Sequence, residues 1–148
     1  MKQFFYSIIA LLFVTACSSD DSDGRNPYLG EPRFSYDINL NLPQYASLGT
    51  PGNAVYIANS NVGIRGVIVF NQGFGNYFAW EASCPNHAPS SCSTMTIQDG
   101  VTCVCSCEDY KYSLANGSLL TDVEEGVRPY GLLNYRVTVN NNMIQVYN

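Results

Sequence analysis

Five of the chain's six cysteines and its only histidine fall between Cys84 and Tyr112, in CPNHAPSSCSTMTIQDGVTCVCSCEDYKY. Thiols and an imidazole in one short stretch can serve metal binding, redox chemistry or cross-linking. Cys84, His87, Cys105 and Cys107 make a Cys3His set of the type that holds zinc, although C-x-C-x-C differs from the usual C-x-x-C knuckle. Outside the cytosol, paired thiols oxidise to disulfides instead. Period 2 puts Cys103, Cys105 and Cys107 on one face if their strand runs that far, so Cys92–Cys103 is an available pairing; connectivity stays open at this level. Hydrolytic chemistry finds little support. There is no G-x-S-x-G elbow. With one histidine, any Ser-His-Asp or Cys-His site has to use His87. A Cys84/His87 pair has no neighbour that reads as an orienting group or oxyanion hole.

The elements that must position this stretch are strands. Tyr36, Ile38, Leu40 and Leu42 alternate onto one face. Ala54 to Ala58 and Gly66 to Phe70 are short β-branched and aromatic runs, and Tyr77 to Ala82 follows the Gly-rich turn at Gly73 to Asn76. Asp99-Gly100 and Asn116-Gly117 are hairpin turn signals, and Asn140 to Asn142 separates Val137-Thr138-Val139 from Met143 to Tyr147. No helix of several turns is predicted and no internal repeat is visible. The pattern predicts an all-β domain built as a stack of small antiparallel sheets.

The N-terminus reads as an export and anchoring segment. Lys2 precedes an apolar run, Phe4 to Val14, too short to span a bilayer. It ends in Val14-Thr15-Ala16-Cys17, which resembles the lipobox of bacterial lipoproteins. That resemblance implies cleavage after residue 16 and acylation of Cys17, which anchors the chain to a membrane. Residues 17–30 form a polar, acidic tether unable to build a core. Asp20, Asp21 and Asp23 also resemble the acidic signal that sends some lipoproteins to the cell surface. Residues 31–148 remain as one domain. A net charge of −5 without a basic run argues against nucleic acid.

The cysteine stretch resembles the Rieske iron–sulfur family. That family binds a [2Fe–2S] cluster between two loops, through C-x-H in the first and C-x-x-H in the second. Cys84-Pro85-Asn86-His87 falls where the first loop belongs and Cys105-Ser106-Cys107-Glu108 where the second belongs, with Tyr112 at the position of the second loop's aromatic. Gly66 to Val69 and Tyr77 to Trp80 look like the approach strands. Pro129, Tyr135 to Val137 and Ile144 to Val146 look like the closing ones. The resemblance covers roughly residues 57–148, with the cluster-type subdomain at about 81–115. Two departures matter: His87 sits one residue late, and Glu108 replaces the second histidine. Two imidazoles on one iron are what raise a Rieske potential, and a hard anionic carboxylate would lower it. The candidate cluster ligands are therefore Cys84, His87, Cys105 and Glu108.

A pre-built cluster also needs export in the folded state through a twin-arginine signal, and residues 1–16 contain no arginine. The resemblance further implies a bridge joining the two loops, Cys92–Cys107. Without a cluster, Cys84 would face Cys105, giving a second bridge, Cys84–Cys105, and leaving Cys103 as a buried thiol. The sequence is thus read as an outer-membrane lipoprotein of the cell envelope, facing the periplasm or the surface. Its Rieske-like domain lacks a complete cluster set and acts as a non-catalytic, disulfide-stapled binding or accessory module with no resident cofactor. Its partners are the membrane, through the acylated N-terminus, and an envelope protein of unknown identity. The alternative is an electron carrier holding [2Fe–2S].

Overall fold

The computed structural model describes residues 25–123, 126 and 128–148. The signal segment, Cys17 and the acidic tether residues Asp20, Asp21 and Asp23 lie outside the described residues. The strands are β1 (Ser35–Asn39), β2 (Ala54–Ile57), β3 (Val67–Gly73), β4 (Asn76–Glu81), β5 (Thr96–Gln98), β6 (Thr102–Val104), β7 (Lys111–Ser113), β8 (Asn134–Asn140) and β9 (Met143–Tyr147). A 3-10 segment, Pro43–Gly49, follows β1. They form two antiparallel sheets, the larger ordered β1-β9-β8-β4-β3-β2 and the smaller β5-β6-β7. The all-β class of small antiparallel sheets is as predicted. Among the described residues no helix is long and apolar enough to cross a membrane.

Turn residues set the register. Asp99 and Gly100 both adopt positive φ, 52° and 71°, and bring Gln98 opposite Thr102 in the β5–β6 hairpin. Asn141 does the same between β8 and β9, at φ 52°. Gly117 turns the chain after β7; a Cβ there would stand 2.7 Å from the Trp80 ring, so a side chain is excluded. β1 is shorter than its alternation suggests. It ends at Asn39, and Leu42 is exposed because Pro43 begins the 3-10 segment and turns the chain away.

β3 is buried on both faces. Val67 and Val69 join Ile38, Leu48, Tyr135 and Ile144 in one core. Ile68 and Phe70 point the other way and join Trp80, Met95, Tyr112 and Leu114 in a second. A strand covered on both sides needs a continuous apolar run, which is what residues 67–70 supply. Trp80 of β4 locks the second core by donating its indole N–H to the Leu114 carbonyl at 2.9 Å.

Glu81, at the end of β4, is fully buried. Its carboxylate accepts hydrogen bonds from the backbone N–H groups of Ile64 (2.6 Å), Arg65 (2.9 Å) and Ser83 (2.8 Å), and from the Tyr135 hydroxyl (2.6 Å). Enough donors converge to hold a charge away from water. Burial, and then the Glu81 carboxylate, raises the pKa of Tyr135 above the usual phenol range.

Glu81→Ala leaves three backbone donors and a buried phenol unpaired, at about 1–3 kcal/mol each. Urea denaturation should show a loss of at least about 3 kcal/mol; a native-like midpoint would mean the carboxylate does not organise this junction. An unfolded tyrosine ionises near pH 10, as a general reference of about that value, whereas folded Tyr135 holds its proton to higher pH. The unfolded state therefore loses protons first, and stability should fall as pH rises past about 10. The fall should be smaller in Tyr135→Phe.

Candidate metal centre

Two loops meet at one end of the small sheet. The first, residues 84–93, leaves β4 and returns toward β5, closed at its base by Cys84 N–H to Ser93 O at 2.9 Å. The second, residues 105–110, joins β6 to β7 and is closed by Cys105 N–H to Tyr110 O at 2.9 Å. Asp109 makes this tight return at φ 58°, a conformation that aspartate tolerates better than most residues. These base hydrogen bonds fix where Cys84 and Cys105 enter the tip, and both are buried.

Cys84, His87, Cys105 and Glu108 converge there, each offering one ligand atom, all within 4.8 Å of one another. His87 Nε2 lies 3.3 Å from Cys105 Sγ and 3.2 Å from Glu108 Oε2. Glu108 Oε2 lies 3.3 Å from Cys105 Sγ and 3.7 Å from Cys84 Sγ. On its far side, His87 Nδ1 is 2.9 Å from the Ala88 carbonyl. A carbonyl only accepts, so in the tautomer with its proton on Nδ1 that proton goes there and the Nε2 lone pair faces the sulfurs. Burial, followed by the hydrogen bond with Cys84, pushes the Cys105 thiol up to about 12.

The surrounding residues hold the loops in place. Asn86 donates to Tyr112 Oη (2.8 Å) and to the Tyr130 carbonyl (2.9 Å), and accepts from Tyr130 N–H (2.8 Å). Tyr112 Oη in turn sits 3.5 Å from Cys84 Sγ. Asn26 donates to Pro85 O at 2.7 Å, and Arg65 to Ser90 O at 2.7 Å. Sequence reasoning missed Asn86 and Glu81. Asn86 stands inside the Cys84-to-His87 motif, so its amide was visible, but its partners are more than 25 residues away.

The cysteine pairing differs from expectation in one bridge. Cys92 and Cys107 are joined. The expected Cys84–Cys105 bridge is not formed, and both remain thiols, as does Cys103. Both sulfurs turn toward Glu108. Cys92–Cys103 is excluded because β6 ends at Val104, and Cys103 points into the core against Met95 Sδ at 3.7 Å. Burial raises the Cys103 thiol to about 12. In the Cys84, His87, Cys105, Cys107 zinc set, Cys107 is committed to the disulfide, and Glu108 stands at the fourth position instead.

A Rieske-type two-iron rhomb needs its ligands in two pairs at opposite ends, thiolates on one iron and the other pair on the second. The present arrangement does not divide that way. The contacts at 3.3 Å from Cys105 to His87 and to Glu108, and at 3.7 Å from Cys84 to Glu108, each run between the two would-be ends. One of the two imidazoles is also a carboxylate. The residues present do not fit that cluster.

No protein-family model and no curated protein sequence matches the chain. Several solved structures are similar in arrangement. The NADH-dependent nitrite reductase small subunit from Mycobacterium tuberculosis aligns over 80% of this chain and 97% of its own, at 17% identity and a TM-score of 0.43. The ferredoxin of carbazole 1,9a-dioxygenase from Nocardioides aromaticivorans aligns over 78% and 97%, at 16% identity and a TM-score of 0.44. A ferredoxin of Sphingomonas yanoikuyae aligns over 69% and 93%, at 15% identity and a TM-score of 0.43.

Non-reducing, metal-free alkylation of the unfolded protein followed by peptide mass mapping should label Cys84, Cys103 and Cys105 and leave Cys92 joined to Cys107. A Cys84–Cys105 cross-linked peptide would contradict the thiol assignment. Replacing Cys92 and Cys107 together by serine should cost about 3 kcal/mol in urea, the loop-closure value for a separation of about 15 residues.

Proposed function

We propose that this chain is a lipid-anchored protein of the cell envelope whose single Rieske-like domain is a non-catalytic accessory module with a metal-holding tip. The observation that carries the reading is the convergence of Cys84, His87, Cys105 and Glu108 within 4.8 Å at the junction of two loops. Thiols, an imidazole and a carboxylate whose acceptor atoms face one point are a ligand set. The Cys92–Cys107 disulfide suits an oxidising compartment, and the lipobox-like Val14 to Cys17 supplies the anchor. The disulfide and the metal tip act on the same two loops, leaving a rigid knob for an envelope partner to recognise.

Two measurements test this. Elemental analysis of the full chain, isolated from membranes without reductant, should find bound metal, and Cys105→Ala should remove it while keeping the Cys92–Cys107 bridge. Metal-free native protein that takes up no metal ion would overturn the reading. Cys17→Ser should move the protein from the membrane fraction to the soluble fraction; retention at the membrane would remove the anchor from the proposal.

A further inference from the structure

The geometry points to a single tetrahedral zinc ion held by Cys84 Sγ, His87 Nε2, Cys105 Sγ and Glu108 Oε2, in the place where the fold's relatives would suggest a cluster. This rests on the metal-holding reading above and names its occupant. Zinc bonds to sulfur at about 2.3 Å and to nitrogen or oxygen at about 2.0–2.2 Å, so the edges of its ligand tetrahedron run from about 3.3 to 3.8 Å. The edges seen here are 3.2 Å from His87 to Glu108, 3.3 Å from His87 to Cys105, 3.3 Å from Glu108 to Cys105 and 3.7 Å from Glu108 to Cys84. Four of the six edges are thus close to those around one ion, and the other two, Cys84 to Cys105 and Cys84 to His87, lie within 4.8 Å.

The chemistry of the set agrees. Two soft sulfurs exclude calcium and magnesium, which take oxygen cages. Mixed sulfur, nitrogen and oxygen donors at tetrahedral spacing suit an ion without geometric preference from its d-electrons. Binding balances simply: Cys84 and Cys105 each release a thiol proton to solvent, neutral His87 gives its Nε2 lone pair, and Glu108 binds as the carboxylate. The bound unit carries a net charge of −1 by that count. No oxidant or reductant takes part.

The outer groups are arranged for the same end. His87 is oriented by its Nδ1 contact with Ala88 O at 2.9 Å, the usual support for an imidazole ligand. Asn86 donates to Tyr112 Oη at 2.8 Å, which leaves the Tyr112 proton to point at Cys84 Sγ, 3.5 Å away. That hydrogen bond steadies a thiolate. All four positions belong to the protein, which marks a structural ion. The ion would join the two loops where a Cys84–Cys105 bridge was expected, and Glu108, the exposed member, stands on the side from which an ion approaches.

The test is metal titration of the full chain, isolated without reductant and stripped by a chelator. Cobalt(II), then zinc, are the probes. The expected result is one cobalt per chain, with the intense visible bands of a tetrahedral ion and thiolate charge-transfer absorption, displaced by one equivalent of zinc. Glu108→Gln should fold normally, keep the Cys92–Cys107 bridge and bind zinc on the order of tenfold or more weakly. Wild-type zinc affinity in Glu108→Gln, or a six-coordinate cobalt spectrum, would overturn the four-ligand assignment. Anaerobic reconstitution with iron and sulfide that installs two irons and two sulfides per chain, in a protein that does not take up zinc, would overturn the single-ion site and leave the metal-holding tip standing. Failure of every metal to bind would remove both.

Discussion

Everything in this molecule hangs on two strands that face two ways. β3 and β4 send Val67, Val69 and Ala79 into one core, and Ile68, Phe70 and Trp80 into another. The large sheet can therefore support the small one without a separate scaffold. Trp80 makes the junction specific, because its indole N–H reaches the Leu114 carbonyl and its ring fills the space that Gly117 leaves by having no side chain. A buried donor that finds its acceptor only across the sheets makes correct packing a condition for satisfying it.

The tip inherits its geometry from that junction. β4 ends in Glu81, which gathers backbone donors from the segment before β3 and from Ser83. Three residues later the chain delivers Cys84. β6, locked against β5 by the Asp99-Gly100 turn, delivers Cys105 one residue past its end. Two rigid strand ends thus set the two sulfurs, and the loops have only to fold His87 and Glu108 inward. The Cys92–Cys107 bridge ties the loops on their outer side and leaves the inner sulfurs free to meet ligands in place of each other.

A buried carboxylate and a buried thiol pair illustrate opposite solutions to the same cost. Glu81 is satisfied by protein donors alone. Cys84 and Cys105 both donate to Glu108; were the thiols to ionise, acceptors would face acceptors and a cation would be needed to satisfy them together. That difference separates a structural carboxylate from a ligand set when both lie within a few residues of each other.

The β class, the turns and the address of the chemistry were legible in the chain before it folds. Those signals are local: β-branched runs, Asp-Gly and Asn-containing turns, and a cluster of cysteines around one histidine depend on neighbours a few residues apart. The folded arrangement was needed to show that Cys84 and Cys105 stay unpaired, that Leu42 leaves the core side, and that of the two ligand sets legible in the sequence the one with Glu108 converges while Cys107 goes to the disulfide. Those outcomes depend on where two strand ends stop. β6 ends at Val104 instead of running on to Cys107, so Cys107 is placed by the loop and its disulfide, and no local signal records that ending. Asn86 and Glu81 were illegible for the same reason, since their partners lie across the fold and their residue types alone read as ordinary polar groups.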